Sequence, residues 1–294
     1  MNGCGREWKE NRKQPMEPVT PLSIGHRGCR LSWSVCGKGP PVVLIQGTGL
    51  HGAGWLPQVE GLADRYQCLY FDNRGMGRSQ PLGERITVEQ MAEDVQVLMD
   101  AQGWTSAHIV GHSLGGLVAL CLAISAPSRV RSLSLLCTFA RGADATRMTW
   151  PMFWQGLRTY IGTRRMRRLA FLEYVMPPHI LATEDRDKLA ERLPPIFGHD
   201  LADQPPVVMK QLAAMRAYDA TARLAELAGT PTLVALAGHD RIARPELGRA
   251  LAAGIPRSRL VEFPDAAHGV CIQSAGEINA LLHEHFSAAE NRRA

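Results

Sequence analysis

Three residues in this 294-residue chain have the types and order that acyl-transfer chemistry requires: Ser113, Asp240 and His268. Ser113 lies in Gly111-His112-Ser113-Leu114-Gly115-Gly116, with G-x-S-x-G spacing. A serine hydroxyl attacks a carbonyl only if a base takes its proton, and the base needs an acid to orient it and stabilise its charged form. Asp240, in AGHDRIARPE, and His268, in PDAAHGV, follow in the order Ser, Asp, His expected of such a set on a parallel sheet. His239 and Asp265 are rivals for the two later roles, and both also read as ordinary loop residues. The oxyanion formed during attack needs N–H donors. The expected pair is the backbone amides of Leu114 and of Thr48, the latter in the loop Gln46-Gly47-Thr48-Gly49.

The elements that must position these residues are legible. Ser113 sits between a strand, Ala107–Gly111, and an apolar helix, Leu114–Ser125. That context suits a strained strand-to-helix turn whose flanking glycines leave room for the backbone. Further strands are expected at Arg30–Cys36, Val42–Gln46, Cys68–Phe71, Arg131–Thr138, Thr232–Gly238 and Arg259–Phe263. Helices are expected at Thr87–Gln102, Pro245–Ala253 and Ala275–Phe286. Continuous apolar strands alternating with helices imply an α/β fold with a mostly parallel sheet covered on both faces. Asp240 and His268 each follow a strand, at the carboxyl edge where such sheets build sites. Between residues 139 and 227 the rhythm breaks: there are helical patterns, an arginine-rich stretch and three Pro-Pro pairs, but no convincing strand. The expected organisation is a polar N-terminal tail over 1–21, a core over 22–138 and 228–288, an all-helical cap over 139–227 and a C-terminal tail over 289–294. His283 and His285, near the end of the last helix, are expected at the surface.

The chain is 45% hydrophobic and 21% charged, too apolar for a disordered protein. No apolar stretch is long enough for a membrane helix, and the charged first twenty residues contain no secretory core. Seven scattered cysteines form no CxxC or Cys/His cluster, so neither a disulfide framework nor a zinc site is expected. The setting expected is cytoplasmic, without metal or cofactor. The oxyanion loop is not a phosphate loop, because no GK[ST] follows. In FDNRGMGRS, Asp72 and Arg74 are read as structural anchors.

Taken together, QGTGLHGAGW, FDNRGMGRS, GHSLGG, AGHDRIARPE and DAAHG make the chain resemble a capped α/β-hydrolase over residues 22 to 288. The resemblance implies Ser113 as nucleophile, Asp240 as acid and His268 as base, Thr48 and Leu114 as oxyanion amides, and the cap as lid. It departs from the family's usual His-Gly at Gln46-Gly47, as enol-lactone hydrolases, which it is also similar to, often do. The expected activity is hydrolysis of small carboxylic esters or lactones. The alternatives are an enol-lactone or C–C bond hydrolase of aromatic breakdown and a slow-turnover ligand sensor.

Phe139, Trp150 and Trp154, at the start of the cap, are candidates for the substrate pocket. The net charge of +5 is local: residues 139–168 carry seven arginines against Asp144, and the remaining chain is at −1. This gives no reason to expect nucleic-acid binding. It leaves two readings, a solvated cap face or an arginine (Arg147 or Arg158) that meets a substrate carboxylate.

Overall fold

The computed structural model describes residues 20–82, 86–145 and 150–292, with 151–153 by backbone alone. Most of the stretch read as an N-terminal tail, and Arg147, therefore lie outside the described residues. The centre of the molecule is one sheet of eight strands: β1 (Leu22–His26), β2 (Cys29–Cys36), β3 (Pro41–Ile45), β4 (Gln67–Phe71), β5 (Ala107–His112), β6 (Val130–Leu136), β7 (Thr232–Ala237) and β8 (Arg259–Phe263). They lie in the order β1-β2-β4-β3-β5-β6-β7-β8. β2 runs antiparallel to β1 and β4, and every other neighbouring pair is parallel.

Burial explains which strands are apolar throughout. Every residue of β5 and β7 is buried, as a parallel strand covered on both faces requires. The edge strands β1 and β8 are partly exposed along their length. β1, at the antiparallel edge, carries no continuous apolar run to announce it.

The covering helices are α1 (Leu56–Leu62), α2 (Val88–Ala101) and α3 (Leu114–Ser125), with α8 (Pro245–Gly254) and α9 (Ala275–Asn291) later in the chain. α3 is buried on nearly every side, which is why it is apolar all round. α2 begins at Thr87, whose hydroxyl accepts the Gln90 N–H and caps the helix. α9 corrects the expected C-terminal tail. The helix continues to Asn291, Ala289 is buried, and His285 is buried with its Nε2 3.2 Å from the Leu133 carbonyl. His283 is half-buried, with Nδ1 2.8 Å from the Tyr66 hydroxyl.

Between β6 and β7 the labelled elements are α4 (Trp150–Arg158), α5 (Arg164–Val175), α6 (Arg186–Arg192) and α7 (Val208–Ala217), with short helical turns among them. Leu172, Val175, Leu189, Leu193, Phe197 and Leu201 form a hydrophobic cluster of their own here, joined from the sheet side by Ile272. No helix among the described residues is long and apolar enough to cross a membrane.

The topology creates a crevice. From β3 the chain crosses to β4 on one side, and it returns to β5 on the other. Loops leaving the carboxyl ends of β3 and β5 therefore diverge, and a cleft opens between them. The Gln46 loop leaves β3, Ser113 leaves β5, and Ile45 pairs with Gly111 at the base of that cleft.

Candidate active site

Ser113 joins β5 to α3 with φ 54° and ψ −119°, a backbone conformation that L-residues avoid. The surroundings hold it there. Its N–H donates to the Leu136 carbonyl at 3.0 Å, and its carbonyl accepts the Thr138 hydroxyl at 2.7 Å. The flanking glycines are steric necessities: a Cβ on Gly111 would strike the Gly115 carbonyl, and one on Gly115 the Ile45 carbonyl. The G-x-S-x-G spacing is thus a condition for closing this turn.

Asp240 follows β7 and is buried. Its Oδ1 accepts the N–H groups of Ile242 at 2.8 Å and Ala243 at 2.9 Å, which fixes the carboxylate. Its Oδ2 lies 2.7 Å from Nδ1 of His268, in the loop after β8. A carboxylate can only accept, so the imidazole proton sits on Nδ1, leaving Nε2 available as a base. Of the rivals, His239 and Asp265 are both exposed.

The His268 loop is held from two sides. Nε2 of His112, the second residue of the serine motif, lies 2.9 Å from the His268 carbonyl, and the two rings are 4.8 Å apart. Burial pushes the His112 imidazole down to about 3, so it is neutral and donates from Nε2. On the other side, the Gly269 N–H donates to the Val175 carbonyl of α5 at 3.0 Å, and the Gln273 amide reaches the same carbonyl.

Two N–H donors of the Gln46 loop are already engaged by side chains. The Gly47 N–H donates to the side-chain oxygen of its own neighbour Gln46 at 2.9 Å. The Gly49 N–H donates to Oε1 of Gln211, on α7, at 2.8 Å. Among the described residues the N–H groups of Thr48 and Leu114 meet no acceptor. The loop and the serine turn touch, since a Cβ on Gly47 would come within 3.2 Å of Ser113 Cβ. Gln46 therefore supports this loop with its own side chain. Gln211 and His112 are positioning residues the sequence reading did not single out. The departure from His at Gln46 marked that loop in the sequence, but nothing in α7 marked Gln211.

A cavity of about 530 Å³ opens over these groups, lined on the sheet side by Thr48, Ser113 and His268. Phe171, Tyr174, Phe197, Val208 and Met215 line it from the segment between β6 and β7. This corrects the expected pocket residues. Phe139 is 1% exposed and packs in the main core, while Trp150 and Trp154 are 76% and 58% exposed at the surface. None of the three lines the cavity, because the helices that follow them, α5 and α7, turn their apolar faces to it instead. Arg158 is not in the lining either, and pairs with Glu173 at 3.0 Å. Asp72 acts as the anchor expected, its two carboxylate oxygens accepting the N–H groups of Gly52 and Arg78. Arg74 is buried and paired with Asp94. No cluster of three or more potential metal ligands occurs among the described residues.

The profile of the alpha/beta hydrolase fold matches residues 40–275. The chain belongs to the α/β-hydrolase family. Among relatives of this α/β-hydrolase is a protein of Azorhizobium caulinodans named "Putative carbamate hydrolase RutD", 31% identical over 86% of this chain and 93% of the relative. The enol-lactonase from Burkholderia xenovorans LB400 superposes with a TM-score of 0.75 at 26% identity, covering 90% of this chain and all of the other. A thermophilic esterase from Thermogutta terrifontis gives a TM-score of 0.74 at 26% identity, over 92% and 99% of the two chains.

Proposed function

We propose that this α/β-hydrolase cleaves carboxylic ester or lactone bonds of small molecules through an acyl-enzyme on Ser113. The observation that carries the reading is the Asp240–His268 contact of 2.7 Å, opening onto the cavity that holds Ser113 in its strained turn. His268 Nε2 takes the Ser113 proton as Oγ bonds to the substrate carbonyl carbon. The negative charge that develops on the carbonyl oxygen is met by the N–H groups of Thr48 and Leu114. The carbon–oxygen bond to the leaving group breaks, and the alcohol departs with the proton from His268. Water then gives a proton to His268 and attacks the acyl carbon; the bond from that carbon to Ser113 Oγ breaks, the proton passes from His268 to Oγ, and the acid leaves. Asp240 keeps His268 in the required tautomer and stabilises its charged form. The segment 139–227 serves as a lid that shapes the acyl pocket, and the protein works in the cytoplasm, where thiols such as Cys68 and Cys137 stay reduced.

Two other substrates suit the same groups. The Azorhizobium relative's name favours a carbamate, whose carbonyl Ser113 would attack by the same steps. The likeness to an enol-lactonase favours an enol-lactone. A panel of p-nitrophenyl esters, lactones and aryl carbamates ranks them by kcat/KM. Ser113→Ala is expected to lower kcat on the best of them by at least about 10³-fold with the thermal unfolding curve retained. Undiminished turnover by this variant sinks the proposal. Labelling of Ser113 by a fluorophosphonate with negligible turnover of the whole panel would instead favour a ligand sensor.

A further inference from the structure

The cavity over Ser113 is lined by one residue of fixed positive charge, Arg216, and by no carboxylate among the described residues. Arg216 lies in the last turn of α7 and is exposed, while Ser113 is 5% exposed, so the cation stands on the solvent side of the cavity and the nucleophile on its inner side.

Its neighbours in the same segment are engaged differently. Arg158 pairs with Glu173, Arg164 with Asp200 and Asp203, Arg165 with Asp187, Arg192 with Glu184, and Arg223 with Glu226. Arg216 has no ion-pair or hydrogen-bond partner among the described residues. Helix-dipole stabilisation accounts for a cation in a last turn, but it is indifferent to whether that cation borders a cavity.

One further observation points the same way. Thr48 Oγ1 is buried without a partner in the lining, beside the oxyanion position. The inner end therefore has an unmet hydrogen-bonding atom, the outer end an unmet cation, and much of the wall between is apolar, from Phe171, Val175, Phe197, Val208 and Met215. An anionic substrate would also be drawn to a mouth whose lining holds a cation and, among the described residues, no carboxylate.

We infer that the preferred substrate is anionic: an ester or lactone whose acyl part carries a carboxylate on the far side of an apolar spacer, received by Arg216. This rests on the hydrolase reading above, with Arg216 as the residue that determines specificity. The guanidinium suits a carboxylate because it can offer two parallel N–H donors. It takes over the role considered for Arg158, whose charge is already answered by Glu173.

The test compares mono-p-nitrophenyl glutarate with p-nitrophenyl pentanoate, which have the same leaving group and acyl chains of the same carbon number, one with a terminal carboxylate. The quantity read is the ratio of kcat/KM for the acidic ester to that for the neutral one. Arg216→Gln is expected to lower this ratio about tenfold, chiefly through KM of the acidic ester, and Arg216→Glu to lower it further. Arg216→Lys should restore part of the loss. Raising salt should depress the ratio in the wild type and much less in Arg216→Gln. Arg158→Gln, which removes a charge already paired, should leave the ratio unchanged. A ratio that Arg216→Gln does not change, or that Arg158→Gln changes equally, overturns the inference while the hydrolase reading stands. Loss of neither activity in Ser113→Ala would overturn the underlying reading instead.

Discussion

The carboxyl edge of the sheet and the helical segment between β6 and β7 both contribute to the cavity, but they hold their residues in different ways. At the sheet edge, backbone geometry leaves no alternative. Ser113 sits in a turn that only glycines at 111 and 115 can close, and Asp240 is tied by two amides of its own loop. In the helical segment, side chains hold side chains. Of the arginines that crowd residues 158–168, Arg158, Arg164, Arg165 and Arg168 meet acids that come later, at Glu173, Asp203, Asp187 and Asp200. Backbone-held groups can be aimed to fractions of an ångström, as nucleophilic attack needs, whereas exposed ion pairs tolerate exchange of partners. The two regions meet where Gln211 receives the Gly49 N–H and Val175 receives that of Gly269.

The comparison breaks most visibly if the backbone-held groups prove dispensable. Asp240→Asn is expected to lower kcat by about 10³- to 10⁴-fold on any good ester while leaving KM little changed. Stopped-flow turnover measures this, and a loss of less than tenfold would mean that another acid orients His268. Gly115→Ala is next in size. It drives a methyl group into the Ile45 carbonyl and should cost about 2 kcal/mol or more of unfolding free energy in urea.

Acid separates the regions further. Burial holds His112 down to about 3 and His285 down to about 4, whereas an unfolded histidine titrates near 6.5. Both are therefore neutral in the fold, and below about pH 6.5 the unfolded chain gains protons that the folded chain refuses. The stability they contribute is complete above that pH and is lost as pH falls toward 4, at about 1.4 kcal/mol per pH unit for each. In the helical segment, the hydrogen bond from Arg168 holds the Asp200 carboxyl well below the usual range. Its contribution is complete above about pH 4 and is lost only below that. Urea titrations between pH 6.5 and 4.5 should show a slope reduced by His285→Gln and unaltered by Asp200→Asn. The smallest effect belongs to the surface of the helical segment. Trp154→Ala should change KM for small esters by less than about twofold, as expected for an exposed side chain outside the lining.

The sheet was legible because its signals are local. Val42–Gln46 and Thr232–Gly238 read as buried strands from their apolar runs, and the glycines of GHSLGG carry a steric requirement visible in five residues. β1 escaped notice because an edge strand is wetted along much of its length. The cavity lining was not legible. The aromatic residues nearest in sequence to β6, Phe139, Trp150 and Trp154, were the natural candidates, yet which face a helix turns inward depends on partners distant in sequence. A Cβ added to Gly49 would lie 3.0 Å from the Val208 side chain, across nearly 160 residues of chain. The pairing of the cap arginines was hidden for the same reason. Residues 139–168 look strongly basic as a string, but the acids that pair with Arg158, Arg164, Arg165 and Arg168 lie in the following helices and loops.

The central claim is a covalent bond to one oxygen atom. Rapid-quench intact-mass analysis of the wild-type protein, mixed with a p-nitrophenyl ester at acidic pH to slow deacylation, tests it most directly. The account predicts an adduct of the acyl mass formed within the first turnover, mapped to the peptide containing Ser113 and absent from Ser113→Ala. Release of p-nitrophenol with no adduct on Ser113, or with the adduct on another residue, would contradict it.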